Sequence, residues 1–143
     1  MALIMVGVDG SETSTRALDL GVQWARNHGD EVLVVHVIPW SPFSFTTPSD
    51  NEERPTRRDQ ELAWAQEQVV DPMVQRAKDA GVRTDAILTH GNPAESMVDV
   101  AEEKQALHII VGRTGDSKIK QAVFGSIANR LVQASPVPVT VVP

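Results

Sequence analysis

Residues 2–38 read ALIMVGVDGSETSTRALDLGVQWARNHGDEVLVVHVI, and this stretch decides the fold class. Its two ends, Ala2–Val8 and Glu31–Ile38, are short apolar runs typical of strands buried on both faces. Between them, apolar residues recur at the spacing of one helix face, with Ser11 as the predicted N-cap and Gly29 as the predicted C-terminal stop. The order strand, helix, strand is that of a parallel βαβ unit.

The segment after the second strand differs in composition. Residues 39–55, PWSPFSFTTPSDNEERP, hold four of the nine prolines and three of the six aromatic residues. They are predicted to form a long irregular loop, which is a lid, a partner surface or a mobile loop with a few packed aromatics. The apolar stripe of a helix follows from about Thr56 to Ala80. Because the stripe continues past Pro72, we expect a kink there rather than an end.

The remaining sequence continues the alternation. A shorter, more polar strand at residues 82–90 is expected at a sheet edge, and further strands are predicted at residues 107–111 and 137–142. One helix lies between the first two of these strands, with Asn92 as its N-cap, and another near Ser126–Ala134. Alternating strands and helices predict a parallel sheet covered by helices on both faces, in one domain over residues 1–143.

Composition narrows the classes of function. The chain has no cysteine, which excludes disulfides, Cys-ligated zinc and thiol catalysis and fits a reducing compartment. Its net charge of −6 argues against a general nucleic-acid-binding surface. No apolar stretch approaches the roughly 18 residues that a membrane span needs, and the first residues lack the basic region of a signal peptide. The expected location is therefore the cytoplasm, without membrane insertion.

The segment VGRTGDSKIKQAVFGS, residues 111–126, combines glycines with basic side chains. In parallel sheets ligands bind at the carboxyl ends of strands where the strand order reverses, so this segment and DGSETS after the first strand share a crevice if the two strands are neighbours. Gly112 would let another group approach the backbone, Gly115 can form an anion nest, and Gly125 and Ser126 begin a helix whose N-terminus favours phosphate. The residues favour a phosphate cradle, with a flexible connector as the alternative.

The spacing Gly112-x2-Gly115-x9-Gly125-Ser126 resembles the ATP-binding motif of the universal stress protein (UspA) family. MVGVDGSETS resembles the family's opening strand with its Asp-x-Ser signature, VLVVHVIP its second strand and SPVPVTVVP its closing strand. The resemblance implies a three-layer, Rossmann-like α/β sandwich, similar to adenine nucleotide α-hydrolases, with a five-stranded parallel sheet of order 3-2-1-4-5. It also implies a homodimer formed through Val137–Val142.

The resemblance further implies a nucleotide site. The end of the first strand and the residue after His36 would contact adenine, while the end of the fourth strand and the glycine segment would hold the ribose and phosphates. A Mg²⁺ or Mn²⁺ ion would be carried on the phosphates rather than on protein ligands. Arg113 adds positive charge to the implied contacts, which are Gly7, Val8, Asp9, Val37, Val111, Gly112, Gly115, Gly125, Ser126 and Ile127.

Some residues depart from the family pattern or have a plainer interpretation. Family members commonly carry Ser after the first glycine and an acidic residue before the fourth strand, where Arg113 and His108 stand here, and Asp116 adds a negative charge. These changes concern affinity and nucleotide preference. Asp9 is either a ligand contact or a turn former, and His36 is expected to be a packed, hydrogen-bonded residue rather than a catalyst.

The expected function is that of an ATP-binding regulatory protein of the stress response, acting on an unidentified protein partner. No catalytic residues are predicted, since a general base, an arginine finger and a metal-binding carboxylate pair are not indicated, and hydrolysis would at most be slow. One alternative is an enzyme of the adenine nucleotide α-hydrolase type, although DGSETS lacks the glycine pair that its loop requires. The other is an interaction module of the same fold without nucleotide.

Overall fold

The structure, a computed structural model, describes residues 1–39, 48–113 and 126–143, and side chains within 48–65 only from Arg57 onward. Five parallel strands form one sheet in the order β3-β2-β1-β4-β5, as predicted. The strands are β1 (Leu3–Gly7), β2 (Glu31–Ile38), β3 (Thr84–His90), β4 (His108–Gly112) and β5 (Val139–Val142). The most polar of them, β3, lies at the sheet edge, as its composition predicted.

Helices cover both faces of the sheet. They are α1 (Glu12–His28), α2 (Pro48–Ala65), α3 (Asp71–Asp79), α4 (Pro93–Lys104) and α5 (Ser126–Ala134). Three predicted helix ends are confirmed: Ser11 and Asn92 each accept a backbone hydrogen bond at the N-cap, and Gly29 ends α1 with a left-handed backbone at φ 70°. No helix in the described ranges is long and apolar enough to cross a membrane.

The predicted loop at residues 39–55 is wrong from Pro48 onward, because α2 begins there. Proline is tolerated at the first helical position, where its missing N–H has no helical partner to lose. Acidic residues in the sequence that follows, SDNEER, also favour a helix N-terminus. Proline content therefore misled the prediction for this part of the segment, while residues 40–47 lie outside the described residues.

The helical path continues past Pro72, as predicted, through a π-helical turn over Gln66–Val70 that joins α2 to α3. The backbone N–H of Asp71 donates to the carbonyl of Gln66, five residues back instead of four. In a regular α-helix the ring of Pro72 would collide with the carbonyl four residues earlier. The wider turn just before Pro72 accommodates the proline without ending the helix.

The sheet separates two apolar clusters. On one face Val6, Val34 and Ile110 pack against α1 and α3, and on the other Met5, Val35 and Ile109 pack against α4 and α5. Side chains alternate between the faces along each strand, so the central strands must be apolar throughout. Each such fully buried side chain contributes roughly 1.5–3 kcal/mol to the free energy of unfolding.

Candidate functional site

The order of the strands reverses between β1 and β4. β1 pairs with β2 on one side and with β4 on the other, with Val6 opposite Val34 and Ile110 respectively. The two strands are thus neighbours, as the prediction of a shared crevice required. The segments that leave the carboxyl ends of β1 and β4 begin side by side, at the position where open α/β sheets bind ligands.

Gly112, the last residue of β4, is in close contact with the start of α1. A Cβ at Gly112 would lie 2.9 Å from Thr13 Cβ, 3.0 Å from the Thr13 carbonyl carbon and 3.2 Å from its oxygen. The group that approaches the backbone of Gly112 is the buried Thr13. Thr13 escaped the sequence analysis because a contact between residues so far apart in the chain leaves no local pattern.

Gly7, the last residue of β1, lies beneath α4. A Cβ there would lie 2.7 Å from Met97 Cε and 3.0 Å from Val111 Cγ1. Met97 and Val111 belong to the same buried cluster as Val37 and Ala128, the latter from α5. Of the predicted contact residues, Gly7 lies against Met97 and Val111, and Val37 belongs to the same buried cluster.

Asp9 forms the turn that leads from β1 into α1. Its Oδ1 accepts hydrogen bonds from the backbone N–H of Ser11, at 2.9 Å, and from the Ser11 hydroxyl. Its own N–H donates to Ser14 Oγ at 3.3 Å. The turn-forming role considered for Asp9 is thus present. Asp9 is exposed, and within the described part of the chain its Oδ2 takes part in no hydrogen bond or ion pair, so this oxygen can still meet a ligand.

The same turn satisfies one of the first-turn N–H groups of α1. Ser14 donates its N–H to Ser11 Oγ at 3.2 Å, and the helical ladder begins where Thr15 donates its N–H to the carbonyl of Ser11 at 3.1 Å. Ser11 is therefore the capping residue, as predicted. Because the Ser14 N–H is already satisfied, this helix N-terminus offers one donor fewer to an anion than an uncapped one.

Val8 has its side chain in the cluster on the α1 and α3 face, opposite to Val37 and Val111. Its N–H donates to the carbonyl of Val35 at 2.9 Å. Its carbonyl oxygen lies 2.6 Å from His36 Nδ1, which confirms that His36 is a packed, hydrogen-bonded residue. A ligand contact from Val8 would therefore come from the remaining lone pair of its carbonyl.

The remaining predicted residues follow β4 in the chain. Arg113 is exposed directly after β4, and its N–H donates to the carbonyl of Val142 at 2.6 Å. Ser126 and Ile127 are the first residues of α5 and are also exposed. Gly115, Gly125 and Asp116 lie outside the described residues.

His108 is remote from this crevice. It begins β4 at the amino end of the strand, four residues before Gly112, which corresponds to about 13 Å along an extended chain. Its Nε2 lies 2.7 Å from Thr140 Oγ1, and its ring meets Trp24 edge to face with centroids 5.1 Å apart. Burial lowers the pKa of His108 from its ordinary value of 6.5. His108, which stands where family members commonly carry an acidic residue, therefore lies at the end of the sheet opposite to the crevice.

Metal ligands are not grouped in the described ranges. Among the side chains that the structure describes, over residues 1–39, 57–113 and 126–143, no three His, Asp or Glu side chains lie close enough together to hold a metal ion. Asp9 is a carboxylate that lies just beyond the carboxyl end of β1. A cation in the crevice would therefore need further ligands from a bound molecule.

Comparison with known proteins identifies relatives of this chain. A universal stress protein of Thermus aquaticus is 30% identical over 139 residues, covering 97% of this chain and 96% of the relative. UspA from Lactobacillus plantarum has the same fold, with a TM-score of 0.85 and 22% identity over 99% of this chain and 97% of that one. A universal stress protein from Archaeoglobus fulgidus, solved in complex with dAMP, has a TM-score of 0.65 and 25% identity, covering 100% and 98%.

A model of the protein family matches all 143 residues of the chain. The model described as "Universal stress protein family" matches residues 1–143, which include both segments flanking the crevice. Together with the strand order and the relatives, this match assigns the chain: it belongs to the universal stress protein family.

Proposed function

We propose that this chain binds ATP in the crevice between the ends of β1 and β4. The observation that carries the proposal is that these neighbouring strand ends meet at the reversal of strand order, in a chain of a family with a dAMP-bound member. The Gly112-x2-Gly115-x9-Gly125-Ser126 spacing supplies the phosphate-binding part. Adenine would lie near Gly7, Asp9 and Val37.

The charges around the crevice suit a nucleotide whose phosphates already bind a divalent cation. Arg113 would offset part of the phosphate charge, as would the N–H groups at Ser126 and Ile127 at the start of α5. Mg²⁺ or Mn²⁺ would be bound by the phosphates, with Asp9 Oδ2 as the protein oxygen within the described crevice that could reach the ion or its waters. When bound, the ion neutralises phosphate charge.

The proposed role is regulatory. ATP occupancy would order the segments around the crevice and change the affinity for a protein partner in the cytoplasm, because a ligand shifts a conformational equilibrium by its differential affinity for the two states. The chain would act as a homodimer joined through Val137–Val142. Support for this edge comes from β5, which pairs with β4 on one side and lies last in the sheet order.

The experiment first identifies any nucleotide released from gently purified, denatured protein. It then titrates ATP, ADP and AMP with Mg²⁺ by calorimetry. The proposal expects saturable ATP binding, weakened at least tenfold in Gly115→Val and Gly125→Val while the circular dichroism spectrum is retained. Val132→Ala, an exposed substitution in α5, is the control and should bind as the wild type does. No binding at millimolar ATP would refute the proposal and favour the interaction module.

The enzyme alternative has a separate readout. Cleavage of ATP at the α-phosphate by water yields AMP and pyrophosphate, so rapid AMP release would favour the α-hydrolase class. Two observations weigh against it: DGSETS lacks the required glycine pair, and the Ser14 N–H in the first turn of α1 is already satisfied by Ser11.

A further inference from the structure

A cavity of about 560 Å³ lies between β2 and α2. Its volume is within the usual range for small-molecule sites. The strand contributes His36, Ile38 and Pro39, and the helix contributes Arg57, Gln60, Glu61, Trp64 and Ala65. Val37 belongs to the cluster on the opposite face of the sheet, toward α4 and α5. The cavity is therefore on the other side of β2 from the Val37 side chain.

The cavity has an aromatic wall that is open to solvent. Trp64 lines it and is 63% exposed, while its helical neighbour Ala65 is 2% exposed. Ile38, Pro39 and Ala65 add apolar surface around the indole. A large exposed aromatic at a concave surface is typical of binding sites, because the ring offers a broad contact area at low cost in conformational entropy.

One polar group in the wall has a defined hydrogen-bonding role. His36 Nδ1 lies 2.6 Å from the carbonyl oxygen of Val8. A carbonyl only accepts, so Nδ1 carries the proton, and in the neutral ring Nε2 is an acceptor. Within the described residues this Nε2 has no protein donor, and His36 lines the cavity. The wall therefore presents an acceptor that a ligand's N–H or O–H can use.

The charged side chains around the cavity offset one another. Arg57 is cationic, and Glu61 is anionic and held by His90, whose Nε2 lies 3.0 Å from Glu61 Oε2. The His90 side chain is 9% exposed and belongs to β3, so the contact fixes α2 against the sheet. One charge of each sign gives no preference for a charged ligand.

We propose that this cavity is a binding site for a small, uncharged, planar heteroaromatic compound that carries an N–H or O–H donor. The ring stacks on Trp64, and the donor binds His36 Nε2. This site is separate from the proposed nucleotide site and does not depend on it.

The test compares indole with 1-methylindole, in which a methyl group replaces the hydrogen of the N–H donor. Titrations are followed in ¹H–¹⁵N spectra of the labelled full-length chain, using the backbone amide signals of Ile38 and Gln60, which line the cavity and are kept in every variant. Indole is expected to bind saturably, and 1-methylindole about fivefold more weakly, as one net hydrogen bond predicts. Trp64→Ala should weaken indole binding about tenfold. Leu107→Ala, which truncates an apolar side chain that is 58% exposed, should leave it unchanged.

Two further measurements decide the orientation and the location of the ring. His36→Phe should remove the difference between the two compounds, because the acceptor is gone. Saturating ATP should not displace indole. The proposal is overturned by the absence of saturable shifts, by equal affinities for both compounds in the wild type, by full retention of binding in Trp64→Ala, or by competitive displacement with ATP. Failure of ATP to bind leaves the indole comparison intact.

Discussion

The backbone of Thr13 lies against Gly112, joining the first turn of α1 to the end of β4. A Cβ on Gly112 would be 3.0 Å from the Thr13 carbonyl carbon and 3.2 Å from its oxygen. Backbone atoms at the start of a capped helix cannot rotate aside as a side-chain tip can. Gly112, which begins the proposed phosphate-binding spacing, therefore has a packing role that is independent of any ligand.

Gly112→Ala should lower the free energy of unfolding by about 1–3 kcal/mol, the usual cost of an extra group in a packed site. Urea unfolding followed by circular dichroism measures this. The exposed substitution Val132→Ala should change the same quantity by less than about 0.5 kcal/mol. An unchanged urea midpoint for Gly112→Ala would mean that α1 shifts to accept the methyl group.

The turn made by Asp9 and Ser11 should behave as one unit. Asp9→Ala removes both hydrogen bonds between these residues, whereas Ser11→Ala removes the one that the hydroxyl donates and also the N-cap, at about 1 kcal/mol for a cap. In a double-mutant cycle by urea unfolding, the double variant should cost less than the sum of the single variants, because both disrupt the same network. Strict additivity would contradict a shared network.

His108 should make the stability depend on pH. Burial lowers the pKa of His108 below 6.5 in the folded chain, so the unfolded chain takes up the proton first as the pH falls. The contribution of neutral His108 to the free energy of unfolding is complete above pH 6.5. It is lost as the pH falls from 6.5 through the lower pKa that His108 has in the folded chain. His108→Gln should reduce the loss of unfolding free energy between pH 7.5 and 5.5. Identical slopes for the wild type and the variant would exclude this contribution.

The free edge of β5 offers a selective test of the proposed dimer. The carbonyls of Pro138 and Val142 accept from Ile109 and Arg113 of the β4 side. Because backbone groups alternate in direction along a strand, Thr140 also faces β4 and Val141 faces outward. Val141→Pro removes an outward N–H donor and keeps the ladder with β4.

Sedimentation equilibrium should therefore show a dissociation constant at least tenfold higher for Val141→Pro than for the wild type. Its urea midpoint should change less than that of Thr140→Pro, which removes a bond to β4. A Val141→Pro chain that dimerises like the wild type would argue against pairing through this edge.

Much of the fold could be predicted because its signals are local. β2 has the predicted bounds, and Ser11, Gly29 and Asn92 cap their helices as their side chains or backbone freedom suggest. Proline content is a weaker signal, because proline breaks a helix interior but suits its first turn. The helical start at Pro48 was missed for this reason.

The candidate site was predictable in position and less so in its contacts. The strand order brings β1 and β4 together, which a chain that alternates strands and helices permits but does not require. Thr13 beneath Gly112, and Met97 above Gly7, are contacts between distant segments. No spacing in the sequence encodes them, since they depend on how each helix lies on the sheet.

The π-helical turn at Gln66–Val70 has a geometric consequence for the face of α2. Such a turn holds one residue more than an α-helical turn, and one residue corresponds to about 100° of rotation about the helix axis. Deleting a single residue there would therefore swing Glu61 and Trp64 away from β2 while α3 stayed in place. The length of the turn that precedes Pro72 thus sets which face of α2, and with it the Trp64 side chain, is turned toward the cavity beside β2.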